Sequence, residues 1–157
     1  MPAIMRAYCN ACDYSVGSCS QSATFAVLDD GREEVLGHPC EEEDAIELTG
    51  KSLKELAKDN RLRYRYGLIC RTCGEYDLYT NPSAKKAGHI RSIVGSISPA
   101  DANEMECVHC GSKGLQSVMG ETIGCLAFLL GQEPKPNTFD CPKCKKGVVV
   151  IELWGRS

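Results

Sequence analysis

Alternating apolar and polar residues predict several short strands. Residues 61–66 place arginines on one face and leucine or tyrosine on the other, which is the two-residue period of a half-buried strand. Residues 75–80 and the β-branched residues 148–153 show strand patterns of the same kind. Residues 24–28 and 34–36 flank an Asp-Gly step at Asp30 and Gly31, so we expect a β-hairpin there.

Helical spacing is found in two places. Ser52 and Glu55 stand at the spacing of a capping box, which predicts a helix at about residues 52–60. Residues 121–130 form an apolar segment followed by Gly131, which predicts a second helix. The small, polar residues 15–22 are expected to form a loop, and residues 81–104, which contain several glycines and prolines, a connector.

Cysteine spacing adds the main chemical signal. The chain of 157 residues has 11 cysteines, and eight of them form Cys-x-x-Cys motifs. Two thiolates at this spacing bind one metal ion from a single tight turn, and four motifs supply two tetrahedral sites with four cysteines each. The predicted metal ligands, for two zinc ions per chain, are Cys9, Cys12, Cys70, Cys73, Cys107, Cys110, Cys141 and Cys144.

Together the motifs and adjoining strands resemble the zinc-ribbon superfamily, in which two such turns on β-hairpins hold one Zn²⁺. The resemblance implies a small, metal-stabilised, β-rich α+β fold of two zinc-ribbon-like units with inserted short helices. Both halves of the chain repeat the order motif, strand, insertion, motif, strand. We therefore predict an N-terminal unit at residues 1–80, a connector at 81–104 and a C-terminal unit at 105–157.

Sequence leaves the pairing of the four motifs open. Consecutive pairing joins Cys9/Cys12 to Cys70/Cys73, nested pairing joins the two middle motifs inside the two outer ones, and interleaved pairing gives a cross-brace. Loop-closure entropy grows only slowly with length, so none of the three is excluded. The repeated order of the two halves favours consecutive pairing.

Two alternatives involve the motif at Cys70 and Cys73. The segment from Cys70 to Asp77 is similar to the first metal-binding turn of rubredoxin, which implies iron and electron transfer under nested pairing. Cys40 and Glu42, followed by Cys70 and Cys73, loosely resemble the zinc-deaminase pattern, which implies a hydrolase or deaminase with Glu42 as proton shuttle. The remaining thiols are expected to be incidental at Cys19 and part of the core at Cys125.

Charge is unevenly distributed along a chain whose net charge is −3. Residues 1–50 contain 2 basic and 10 acidic residues, whereas residues 51–91 contain 10 basic and 4 acidic residues. A basic segment of this kind can contact phosphates, or it can pair with the acidic residues of the same chain, for example those at 41–44. The candidate nucleic-acid contacts are Arg61, Arg63, Arg65, Lys85, Lys86 and Arg91.

Composition indicates a reducing compartment and a structural use of the metal. The sequence has no apparent secretory signal and no apolar run long enough to cross a bilayer, so we expect a cytoplasmic protein without a membrane partner. Thiols stay reduced there, which favours metal ligation over disulfides. We expect a non-catalytic module that binds a protein or a nucleic acid, with no small-molecule substrate.

Overall fold

The computed structural model describes residues 3–82, 97–118 and 137–156. This part of the chain contains nine strands and three short helices. The strands are β1 (Ala3–Cys9), β2 (Ser15–Ser20), β3 (Ser22–Val27), β4 (Glu33–Leu36), β5 (Leu62–Cys70), β6 (Tyr76–Thr80), β7 (Leu115–Ser117), β8 (Asn137–Asp140) and β9 (Val148–Arg156). The helices are α1 (Glu41–Thr49), α2 (Leu53–Lys58) and α3 (Pro99–Glu104).

The first sheet joins the two ends of the described chain. Its order is β2-β1-β9-β8, and β1 runs antiparallel to β9, with Tyr8 opposite Val150. Alternate residues of β9 point inward, so Val149 and Ile151 are buried together with Ala7 of β1. This pairing brings the residues that follow β1 close to the residues that precede β9.

The second sheet is built around β5. Its order is β4-β3-β5-β6, and β7 pairs with the end of β5 that β3 does not cover. One face of β5 packs Leu62 against α1 and α2 near the start of the strand. The same face carries Leu68 into a second cluster with α3 and β7.

The opposite face of β5 contacts the first sheet. Ile69 is fully buried among residues of β1, β8 and β9. Gly67 has no room for a side chain, because a Cβ there would lie 2.3 Å from the carbonyl oxygen of Ser20. The two sheets are therefore packed together along β5.

Several sequence predictions agree with these elements. The hairpin around Gly31 is β3 and β4, and the alternating residues 61–66 lie in or beside β5. α2 begins at the predicted capping box, in which Ser52 and Glu55 bond each other's backbone N–H groups. The described part is β-rich with few helices, as expected.

Other predictions were wrong or lie elsewhere. Residues 15–22 are not a loop, because β2 occupies most of them, and the predicted connector contains α3. α1 was not anticipated, since its first turn is a run of four acidic residues with little apolar periodicity. The helix predicted at 121–130 lies outside the described residues. The boundaries at 80 and 104 stay a prediction.

Among the described residues, the three helices are too short to cross a membrane.

Candidate metal centres

The structure gathers the eight motif cysteines into two groups of four. The outer cluster consists of Cys9, Cys12, Cys141 and Cys144, and the inner cluster of Cys70, Cys73, Cys107 and Cys110. Within each cluster all four sulfur atoms lie within 4.8 Å of one another. The pairing is therefore nested, and the predicted consecutive pairing is wrong. The physical reason is the pairing of β1 with β9, which no local pattern in the sequence reveals.

Sulfur–sulfur distances match a tetrahedral metal site. Cys9 and Cys144 are 3.8 Å apart, and Cys12 and Cys141 are 3.7 Å apart. In the inner cluster the Cys70–Cys110 and Cys73–Cys107 distances are both 3.7 Å. Four sulfurs about 2.3 Å from a central Zn²⁺ would be about 3.8 Å from each other, whereas a disulfide requires about 2.05 Å. Both clusters therefore have the spacing of a metal bound by four thiolates.

Three of the four motifs close with the same backbone turn. The residue after the second cysteine donates its N–H to the carbonyl of the first, from Gly74 to Cys70 at 2.9 Å and from Gly111 to Cys107 at 2.8 Å. Gly74 and Gly111 have φ values of 82° and 73°, the left-handed region that favours glycine.

Lys145 occupies the equivalent position in the last motif. It donates its N–H to the carbonyl of Cys141 at 3.1 Å and has a φ of 57°. The sequence has no glycine at this position, so it gives no sign of the turn, because a non-glycine residue in the left-handed region is uncommon. The motif is thus regular in shape, although not in sequence.

Backbone N–H groups point at a sulfur atom in every motif. The donors Ala11, Thr72, His109 and Gly147 lie 3.3, 3.3, 3.4 and 3.3 Å from Cys9, Cys70, Cys107 and Cys144, respectively. Such bonds stabilise the charged thiolate, which is the form that binds metal. The turns therefore present sulfur atoms that are already partly stabilised as ligands.

The same kind of bond lowers the pKa of two thiols. Hydrogen bonds from the backbone N–H and the hydroxyl of Ser112 lower the pKa of Cys110 to about 6. Backbone N–H groups of Lys146 and Gly147 lower the pKa of Cys144 to about 6. In each cluster the backbone thus holds the pKa of one thiol well below its usual value, which favours the thiolate form that binds metal.

Burial distinguishes the two cysteines of the motifs. The first cysteine of every motif is buried, with 7%, 0%, 3% and 0% of the surface of Cys9, Cys70, Cys107 and Cys141 exposed. These residues belong to the same hydrophobic cores as Ile69 and Leu68. Loss of either cluster would therefore open a core as well as a metal site.

The arginines proposed for nucleic-acid binding have partners within the chain. The Arg61 guanidinium lies 2.8 Å from the carboxylate of Asp29. Arg65 pairs with Glu33 and covers the ring of Phe25, with 4.7 Å from its guanidinium carbon to the ring centre.

Arg63 is held differently from its two neighbours in the stripe. It donates to the carbonyl of Asn60 at 2.8 Å. The acidic partners of this stripe come from the β3–β4 hairpin, at Asp29 and Glu33, rather than from the expected residues 41–44. Lys85, Lys86 and Arg91 lie outside the described residues.

The structure does not assemble the deaminase-like constellation. Cys70 and Cys73 are grouped with the third motif rather than with Cys40, which is exposed just before α1. The Glu42 carboxylate accepts a hydrogen bond from the backbone N–H of Leu53 at 3.1 Å. The inner cluster instead joins the middle motifs, which is the pairing on which the rubredoxin-like alternative depends.

Cys19 and His109 lie outside the set of eight motif cysteines, and the structure shows what surrounds each of them. Cys19 is not an incidental loop thiol, because it is fully buried in the core of the outer cluster, and burial raises its pKa to about 11. His109 lies within the third motif with Nε2 3.0 Å from the carboxylate of Asp77, and its side chain is 41% exposed. Cys125 lies outside the described residues.

No family model, no curated protein and no solved structure matches this chain. The similarity to zinc ribbons therefore rests on the geometry of the two clusters alone.

Proposed function

We propose that this protein is a non-catalytic binding module whose fold is maintained by two structural zinc ions. The observation that carries the proposal is the presence of four cysteine sulfurs at tetrahedral spacing in each cluster. Four protein ligands complete the coordination of Zn²⁺ and leave no open position for water or substrate. The metal then acts on stability rather than on chemistry.

The position of the clusters supports a structural role. The outer cluster connects the end of β1 to the turn before β9, and the inner cluster connects β5 to the turn before β7. Each therefore links segments far apart in the sequence, in a chain with a small hydrophobic core. Metal binding to such a site contributes directly to folding, so a chelator should unfold the protein.

Elemental analysis combined with thiol mapping of the native protein tests the proposal. We expect two zinc ions per chain and eight cysteines protected from alkylation, while the exposed Cys40 reacts. One zinc per chain, with reactive Cys9 and Cys12, would contradict the proposal. We propose a reducing, cytoplasmic location, because thiols that bind metal must stay reduced.

For the partner, we propose a protein in preference to a nucleic acid. Each Zn²⁺ with four thiolates has a net charge of −2, so two sites would take the net charge of the chain from −3 to −7. Arg61 and Arg65 are already neutralised by Asp29 and Glu33. An acidic protein in which Arg61 and Arg65 are internally paired is poorly suited to non-specific binding of phosphates.

Nucleic-acid binding is the second candidate, because Arg63 contacts backbone carbonyls and forms no ion pair with the carboxylates of the described residues. Salt-dependent retention on RNA or DNA, lost in Arg63→Glu but kept in the charge-preserving control Arg63→Lys, would support it. The absence of retention at low salt would exclude it.

Iron in the inner cluster is a further candidate, favoured by the union of the two middle motifs. Iron and zinc have the same preference for four thiolates, so geometry does not separate them. Visible colour and stoichiometric iron in native protein purified in air would support iron. A colourless protein containing only zinc would exclude it.

A further inference from the structure

We propose that the two clusters bind metal cooperatively and that Tyr14 is the positioning residue that couples them. The inference rests on the proposed zinc-binding function and adds that the metal affinity of each cluster depends on whether the other cluster is occupied.

A direct contact joins the turns of the two clusters. Tyr14 lies two residues after Cys12 of the outer cluster, and its hydroxyl donates to the carbonyl of Gly74 at 2.6 Å. Gly74 directly follows Cys73 of the inner cluster. The hydrogen bond therefore connects backbone that is positioned by one metal site to a side chain that is positioned by the other.

Close packing surrounds this hydrogen bond. A Cβ on Gly74 would lie 2.6 Å from the ring of Tyr14 and 2.9 Å from Cγ of Pro142. Pro142 stands between Cys141 and Cys144, so both motifs of the outer cluster touch the same turn of the inner one. Gly74 has a φ of +82° in the closed turn. If the backbone of this turn changed conformation, the surface on which Tyr14 and Pro142 pack would move with it.

Strand β5 provides a second physical link. Ile69 is buried in the core that contains Cys9 and Cys141, while the next residue, Cys70, is a ligand position of the inner cluster. The hydroxyl of Tyr76 also donates to the carbonyl of Ser20 at 2.8 Å, which fixes β6 against the first sheet. Ordering the end of β5 therefore arranges residues at both sites.

Coupling of this kind is reciprocal. Metal in the inner cluster holds the Gly74 turn in the shape that Tyr14 and Pro142 require, so it raises the metal affinity of the outer cluster. Metal in the outer cluster must then raise the metal affinity of the inner cluster by the same factor.

Equilibrium chelator titration of the zinc-loaded full chain tests the proposal. Brief alkylation followed by mass spectrometry reports, cysteine by cysteine, which cluster is occupied at each chelator concentration. In the wild type we expect both sets of four cysteines to lose protection over the same range. In the double variant Cys107→Ser, Cys110→Ser we expect the zinc affinity of the outer cluster to fall roughly fivefold or more.

Tyr14→Phe tests the contact itself without removing a ligand. The ring is kept and one hydrogen bond is lost, so the coupling factor should fall roughly two- to tenfold, and the two losses of protection should separate along the chelator axis. Tyr8→Phe is the matched control. Tyr8 also adjoins a ligand of the outer cluster, but its hydroxyl lies 3.3 Å from the carboxylate of Glu152, within the first sheet.

Three results would overturn the coupling. The outer cluster could keep its affinity when the inner ligands are replaced, the wild-type clusters could lose protection independently, or Tyr14→Phe and Tyr8→Phe could behave alike. If the serine variant does not fold, the comparison of the two phenylalanine variants decides. A wild-type chain without metal, with all eight cysteines reactive, would instead refute the proposed zinc-binding function.

Discussion

Replacement of Gly147 by alanine is the sharpest test of the outer cluster. Gly147 is buried, and a Cβ there would lie 2.6 Å from Cβ of Ala11, 2.6 Å from Sγ of Cys9 and 2.9 Å from Oδ1 of Asn10. All three neighbours belong to the first motif. The substitution would therefore drive the turn before β9 away from the turn after β1 and separate the two halves of the outer cluster.

The size of the effect follows from this overlap. Contacts of 2.6 Å are shorter than real Cβ contacts, so the backbone must shift, and overpacking of this kind costs about 1–3 kcal/mol. Gly147 does not have a positive φ, so no strain from a left-handed backbone adds to the cost. If the cost falls on the metal-bound form, the zinc affinity of the outer cluster should decrease by about fivefold to 150-fold.

Competition with a chelator, read by alkylation of individual cysteines, measures this loss. In Gly147→Ala we expect Cys9, Cys12, Cys141 and Cys144 to become reactive at lower chelator concentration than in the wild type. Gly155→Ala is the control, because Gly155 lies on β9, the strand that Gly147 precedes, and nothing lies within 4 Å of its would-be Cβ. It should leave the titration unchanged.

Two results would refute this reasoning. An unchanged affinity in Gly147→Ala would mean that the first and last motifs are not in contact. Reactivity that increases at Cys107 and Cys110 instead of Cys9 and Cys12 would mean that the last motif pairs with the third and that the nested arrangement is wrong.

Three further predictions concern the turns, a helix cap and protons. Lys145→Gly should stabilise the metal-bound protein by about 1 kcal/mol, because Lys145 has a φ of 57° and glycine adopts this conformation without steric cost. Denaturant unfolding measures this gain in stability, and a loss of stability would contradict the prediction. Ser52→Ala should lower the free energy of unfolding by about 1 kcal/mol, since Ser52 caps α2 and bonds with Glu55. An unchanged denaturation midpoint would contradict this contribution of the cap. Zinc binding at pH 7 should release fewer than eight protons, because the pKa values of Cys110 and Cys144 are lowered from 9.0 to about 6. In the metal-free protein, the lowered pKa values of these two thiols stabilise the fold fully above pH 9. This contribution to stability is lost as the pH falls through about 6. Calorimetry in buffers of different ionisation enthalpy counts the protons, and a release of eight would contradict the lowered values.

Local patterns accounted for much of the fold. The Asp-Gly step at Gly31, the alternation at residues 61–66 and the capping box at Ser52 each depend on neighbours within a few positions, and each was confirmed. β2 was missed because its residues, from Ser15 to Ser20, are small and polar; they form a strand through pairing with β1 rather than through their own preference.

The sequence by itself predicted which cysteines gather into clusters. A Cys-x-x-Cys motif forms its turn locally, so its spacing alone singled out these eight cysteines, and the fold places all of them in two groups that could hold a metal. The fourth turn is different, because the left-handed conformation of Lys145 has no sequence signal and is visible only in the folded chain.

Only the tertiary structure decided which motifs meet. Loop-closure entropy changes by less than about 1 kcal/mol for each doubling of loop length, so loop length could not rank the pairings, and the repeated order of the two halves favoured the wrong one. The pairing of β1 with β9 decides it by bringing Cys9 beside Cys144, and β5 then carries Cys70 toward Cys110. The contact between Tyr14 and Gly74 depends on the same long-range pairing, because it forms only where the two sheets pack together.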